Sequence, residues 1–299
     1  YELSRRLNDE LLEYGEMGDW KGILVFAGRN WREFDDVNWS TAFGKLGKFR
    51  RDVAKLRHDE SFKNVVAEFE AKIQREGIRW MRIRQVASTV HSFGVMGVAS
   101  KVLFDHVDNE AARITEEGNP QAIFNISHAF AKLGEKRSVF FGAVNTERTS
   151  EMIGRMGKPQ DISIILWSMA TLGHDAATFS KIINRVDVAE KLVRNGTPQN
   201  IANTIWAMAT LRLEANTLAK IIDRVDVAEK IVRHGTPQNI VNTFWAMSTL
   251  RHNAQVLAGL IDRQEVFKNI MKEDKRHNYF PMIVWAMNKQ GHTAKFWRK

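Results

Sequence analysis

The sequence predicts an all-α protein, a right-handed-type α-solenoid of tandem helix-pair repeats of about 39 residues, and three observations carry that expectation. Pro-Gln pairs begin at Pro120, Pro159, Pro198 and Pro237, each 39 residues beyond the one before. The segments TPQNIANTIWAMATLR (Thr197 to Arg212) and TPQNIVNTFWAMSTLR (Thr236 to Arg251) agree almost throughout, and RVDVAEKLVRNG and RVDVAEKIVRHG precede them. Apolar residues inside these segments recur at helical spacing. A short helix pair cannot bury its apolar face alone, so a constant period of this length implies neighbours that stack on one another.

Taken in order, residues 1–35 lack the repeat signature but have helical composition, including GDWKGILVFAG (Gly18 to Gly28), and read as an N-terminal helical cap. Residues 36–299 read as about seven helix-pair units. The first, 36–81, is divergent, and STAFGKLG (Ser40 to Gly47) repeats only the end of the pattern. Regular units follow near 82–118, 119–157, 158–196, 197–235 and 236–274; Arg84 to Gly97 aligns with Gln121 to Gly134 at a shift of 37. A partial unit, 275–299, restates the pattern one residue late at Val284 to Met287.

Within a unit, proline pre-sets the first turn of helix A, with Thr197 or Thr236 as N-cap. Ile201, Ile205, Met208 and Leu211 then form its apolar side. After a polar or glycine break such as Gly173-His174-Asp175, helix B runs from about Thr178 to Arg194 and stops at Asn195-Gly196. Whether Val186-Asp187 interrupts helix B is left open by the sequence. Gly44-Lys45-Leu46-Gly47 has the Gly-x-x-Gly form of a KH-domain loop, but it aligns with Ala131-Lys132-Leu133-Gly134 and reads as a helix ending on glycine.

Composition narrows the chemistry. Apolar residues make up 44% of the 299, enough for a continuous core without bulk disorder. Lys and Arg number 44 against 35 acids, giving +9 and a pI near 9.7, which favours an anionic partner. The absence of cysteine removes disulfides, thiolate zinc sites, iron–sulfur clusters and cysteine nucleophiles. No run approaches the roughly 18 apolar residues of a spanning helix, so no membrane span is expected. The first residue is Tyr1, so a targeting peptide would lie upstream of it. No Gly-x-Ser-x-Gly, His-Glu-x-x-His or P-loop pattern occurs, and the nine histidines lack ligand spacing; neither catalysis nor a cofactor or metal is expected.

The run PQNIANTIWAMATL resembles the octotricopeptide-repeat proteins, and more loosely the RAP-type and FAST-kinase-like organellar families, over Arg82 to Met287. The resemblance implies RNA binding in mitochondria or plastids, where members stabilise, process or promote translation of transcripts or serve as structural subunits of ribosomes. No C-terminal RAP domain is found and the sequence stops at Lys299 inside its last repeat, so no attached nuclease-like module is expected. The function expected is non-catalytic RNA binding in the mitochondrial matrix, holding ribosomal RNA within a mitochondrial ribosome alongside other proteins of the ribonucleoprotein. The alternatives are a free transcript-stabilising or processing factor in mitochondrion or plastid, and a protein–protein scaffold subunit.

Candidate RNA-binding residues fall into six groups. Trp167, Trp206, Trp245 and Trp285 would suit base stacking, yet each falls in the apolar stripe of helix A, with His91 and His128 in the same slot, and core packing is expected. A polar stripe, Asn200, Asn203, Ala207 and Thr210, recurs as Asn239, Asn242, Ala246 and Thr249 and varies in other copies, as base-reading positions would. It could equally be an ordinary solvent-facing or inter-repeat surface. Arg185, Arg224 and Arg263, with Lys181, Lys220, Lys191, Lys230, Arg194 and Arg233, would form rows along the B helices suited to a phosphate chain. Asp187, Glu190, Asp226 and Glu229 recur beside them. Two clusters are cleaner: Lys45, Lys48, Arg50, Arg51, Lys55 and Arg57, and Arg75, Arg79, Arg82 and Arg84 around Trp80. A basic tail of Lys272, Lys275, Arg276, Lys289, Lys295, Arg298 and Lys299 is a further candidate.

Overall fold

The computed structural model describes residues 2–274 and 278–297; Lys275, Arg276, Arg298 and Lys299 of the basic tail lie outside the described residues. Among the described residues every regular element is helical, so the protein is an all-α helical-repeat array. It divides into two compact units, Tyr1–Ala143 and Val144–Lys299.

The first unit opens with α1 (Glu2–Glu16), α2 (Trp20–Asn30) and a single 3-10 turn. Three groups follow: α3 (Asp36–Leu46), α4 (Val53–His58) and α5 (Glu60–Glu76); α6 (Ile83–Met96), α7 (Lys101–Asn109) and α8 (Ala111–Glu117); and α9 (Pro120–Leu133), with α10 (Ser138–Val144) at the division. The second unit holds α11 (Glu147–Met156), then α12 (Pro159–Leu172), α13 (Ala177–Ile183) and α14 (Val186–Asn195). The same triplet recurs as α15 (Pro198–Thr210), α16 (Asn216–Ile222) and α17 (Val225–His234), and as α18 (Pro237–Thr249), α19 (Gln255–Ile261) and α20 (Gln264–Glu273), before α21 (Tyr279–Lys289).

Helix A starts as its residues dictate. Thr197 and Thr236 are N-caps, each with proline in the first turn and a reciprocal capping box closed by Asn200 or Asn239. Ile201, Ile205 and Met208 are fully buried. A helices stack side by side within each unit, α1 on α3, α6 and α9 in the first, and α12 on α15, α18 and α21 in the second. The chain leaves helix A in the left-handed region, which glycine adopts freely at Gly97, Gly134 and Gly173. Arg212 and Arg251 occupy that position in two repeats, with φ of 55° and 59°.

Helix B is broken in two, and no glycine or proline breaks it. The backbone of Arg185 is extended (φ −70°, ψ 147°) between α13 and α14. The reason lies in the next repeat. The short helices α13, α16 and α19 begin on Ala176, Ala215 and Ala254, which offer no side-chain acceptor. The residue ending the same helix one repeat earlier supplies it. Asn145 Oδ1 accepts from the Phe179 amide at 3.1 Å, Asn184 Oδ1 from Thr217 and Leu218 at 2.9 and 3.2 Å, and Asp223 Oδ1 from Leu257 at 3.3 Å. Asp262 does the same for Lys295 and Phe296, and in the first unit Asp108 accepts from Phe140. The backbone turns out of the helix at 184–185, where that side chain reaches forward.

Two outcomes follow from this geometry. Asn184→Ala strands two amides of α16 and should lower unfolding free energy by about 1–2 kcal/mol in urea titration. Arg212→Gly should raise it by about 0.5–1 kcal/mol, since glycine relieves the left-handed cost but gains freedom when unfolded.

Candidate nucleic-acid interface

In the second unit the A-helix row presents a polar and aromatic margin. Ile205 and Met208 point to the core, while Asn203, Trp206 and Thr210, at i, i+3 and i+7, share a partly exposed face. Trp167, Trp206 and Trp245 are half-buried, and Trp285 is 39% exposed. The tryptophans are therefore not core residues as their periodicity suggested. Fully buried Ile205 and Phe244, one position earlier, fill the core, and the indoles are left at the helix margin.

The polar stripe divides by what its side chains already bond. Asn200 Oδ1 accepts from the Thr197 amide at 3.0 Å, and its Nδ2 donates to Ser163 Oγ of the preceding A helix at 3.1 Å. Asn239 accepts from Thr236 at 3.1 Å. These two asparagines build helix starts and are not free to read a base. Ala207 and Ala246 are buried, and Thr249 buries its hydroxyl. Asn203 and Asn242 are partly exposed and make no hydrogen bond among the described residues, and Thr210 is exposed.

The fold consumes four of the nine basic residues in the B-helix rows. Arg185 bridges to Glu151 of the preceding repeat at 2.6 Å and to Asp187 at 2.9 Å; Arg224 bridges to Glu190 at 2.6 Å and lies near Asp226. Lys191 donates to the carbonyls of Gly154, Arg155 and Gly157, and Lys230 to those of Val193, Arg194 and Gly196. Both lysines thus close the C-terminus of the previous repeat's last helix. Lys181, Lys220, Arg194, Arg233 and Arg263 are exposed and make no ion pair among the described residues.

In the first unit the cluster around Trp80 is a set of structural bridges. Arg82 grips the buried Asp36 through Nε (2.8 Å), Nη2 (3.1 Å) and its amide (3.0 Å). Burial pushes the Asp36 carboxyl up, but the Arg82 bonds outweigh it and hold the group below the usual range. Arg79 and Arg113 share Glu110, and Lys72 lies 4.7 Å from the Trp80 ring. Arg75 approaches Glu76, whereas Arg84 is exposed without an ion pair among the described residues.

The other cluster separates in space. Lys55 pairs with Asp52, Arg57 reaches the Gly97 carbonyl, and Arg51 is exposed. Lys45, Lys48 and Arg50 instead line a groove of about 510 Å³ between α3 and α6, with Ser88, His91, Ser92 and Val95 opposite and Leu12 of α1 also in its lining. No carboxylate lines it. His91 and His128 are stacked, centroids 5.7 Å apart, and Phe124 stacks on His128 at 5.9 Å. Burial, His91 and Lys132 push His128 down to about 4; burial, Lys132 and Arg50 lower His91. These histidines were not among the sequence candidates. They occupy the tryptophan slot, which the sequence assigned to the core, and like the tryptophans they are only partly buried.

Asn200→Ala should lower stability by about 1 kcal/mol and leave RNA affinity unchanged, while Asn203→Ala should do the reverse, checked by urea melts beside binding titrations. A neutral buried histidine refuses a proton that the unfolded chain accepts, so stability is level above pH 7 and falls from about 6.5 toward 4. His128→Phe should flatten that slope in denaturation at pH 4.5 and 7.5.

The comparisons with known proteins bear on this arrangement. The family model described as RNA-editing substrate-binding complex 6 protein matches residues 51–290. No curated protein matches the chain. The match supports an RNA-associated helical protein, as the octotricopeptide resemblance implied, but not the octotricopeptide or RAP families specifically. With most of its length matched, the chain belongs to the RNA-editing substrate-binding complex 6 protein family.

Proposed function

We propose that this protein is a non-catalytic, RNA-binding subunit of an RNA-editing substrate-binding complex in the mitochondrial matrix. The observation that carries the RNA-binding reading is the A-helix margin of the second unit, where partly exposed tryptophans recur beside Asn203 and Asn242, which make no hydrogen bond among the described residues. Indole faces stack unpaired bases of any sequence, and a neighbouring amide can donate to and accept from a base edge. Lone Trp206 and Trp245 side chains at such sites gain little from water, so their partial exposure along a continuous margin favours an aromatic ligand. The editing-complex assignment rests on the family.

Placement in a mitochondrial ribosome draws less support. Arginines near Trp80 would serve it as contacts to structured RNA, but Arg79 and Arg82 are already paired with Glu110 and Asp36. Protein partners in the same complex would find periodic apolar contacts at Val186 and Val225, 66% and 61% exposed at the starts of α14 and α17.

Trp206→Ala with Trp245→Ala should weaken binding of single-stranded RNA by tenfold or more in fluorescence anisotropy. RNA should also quench the intrinsic tryptophan emission of the unaltered protein. Saturation with RNA that leaves both emission and the variant's affinity unchanged would rule out the tryptophan margin as the binding face.

A further inference from the structure

The groove between α3 and α6 has the make-up of a nucleotide subsite. Lys45 lies in the last turn of α3, and Lys48 and Arg50 lie in the turn that follows, so three cations line one groove that has no carboxylate in its lining. Gly44 leaves space beside them: a Cβ built there meets no heavy atom within 4 Å. Across the groove, His91 belongs to a cluster of three rings, stacked at 27° on His128 and tilted by 32° to Phe124. A planar base entering beside His91 would extend a stack already in place. Ser88 adds a small polar side chain to the same wall, and the volume of about 510 Å³ suits a small organic group.

We propose that this groove binds one nucleotide of a single-stranded RNA, its base against His91 and its flanking phosphates on Lys48 and Arg50, with Lys45 beside them. The proposal rests on the RNA-binding reading above but uses residues of the other unit, none of which that reading needs. His91 is held below the ordinary imidazole range by burial and by Lys132 and Arg50, so at neutral pH it stacks as an uncharged ring. The two contacts divide the work. Phosphate contacts set affinity and its salt dependence, and the ring makes binding depend on there being a base.

The test titrates the full chain with a labelled single-stranded RNA and with an abasic ribose-phosphate oligomer of equal length. Lys48→Ala with Arg50→Ala should weaken both ligands about tenfold and reduce the slope of log affinity against log salt by about 1.4. His91→Ala should weaken the base-bearing RNA about tenfold and the abasic oligomer not at all, and His91→Phe should restore binding. Gly44→Leu replaces a helical glycine, so it should melt no lower than the parent, yet fill the groove and weaken both ligands. RNA binding that survives all of these changes while Trp206 and Trp245 matter overturns the groove and leaves the proposed function standing. Loss with Lys48 and Arg50 but indifference to His91 overturns the base-stacking half. An unaltered protein that binds neither oligomer overturns the groove together with the reading on which it rests.

Discussion

Each short helix after an A helix in the second unit begins on an alanine, and an acceptor for its first turn arrives from the repeat before. Asn145, Asn184, Asp223 and Asp262 each reach forward to backbone amides of the following repeat. Unpaired amides in a buried junction are costly, so this contact fixes how one repeat sits on the next, where apolar packing alone would tolerate sliding. Lys191 and Lys230 secure the other end, closing the carbonyls of the repeat behind. A repeat is therefore incomplete without its neighbour at both termini of its B segment. In the repeats that share the 39-residue period between Pro159, Pro198 and Pro237, these contacts recur at separations of 33 and 34 residues.

The same economy decides which polar groups remain for a ligand. Capping boxes occupy Asn200 and Asn239, and inter-repeat bridges occupy Arg185 and Arg224, although each stood in register with residues that stay open. What is left in one unit is Asn203, Asn242 and the tryptophans of the A helices with Lys181, Lys220, Arg194, Arg233 and Arg263 of the B segments, and in the other Lys45, Lys48, Arg50 and His91. Net charge overstates the binding surface. Basic residues that hold acids or carbonyls in place add to the pI and offer little to a phosphate.

Arg212 and Arg251 run against this pattern. Both occupy a left-handed backbone position where four other repeats carry glycine, and both are exposed. Local cost of this kind persists where the surrounding structure enforces it, here the turn that brings the chain from an A helix to the next capped start.

Much of the fold was legible in the residues themselves. Proline spacing, the Thr N-caps and the Ile201–Ile205–Met208 periodicity determined the all-α repeat, the start of each A helix and its buried face, because these are effects of a residue on its own helix. The break between α13 and α14 was not legible, since its cause is the Asn184 side chain meeting amides 33 and 34 residues away. The tryptophans were misplaced for a related reason: helical periodicity gives the direction of a side chain, but the filling of the core by Ile205 and Phe244 decides whether that direction ends in protein or at the surface. Of the candidate site, sequence determined the residue types and their register. Tertiary structure alone sorted Asn203 from Asn200, and Lys48 from Lys191, because a side chain is available to a ligand only when no neighbouring repeat has already satisfied it.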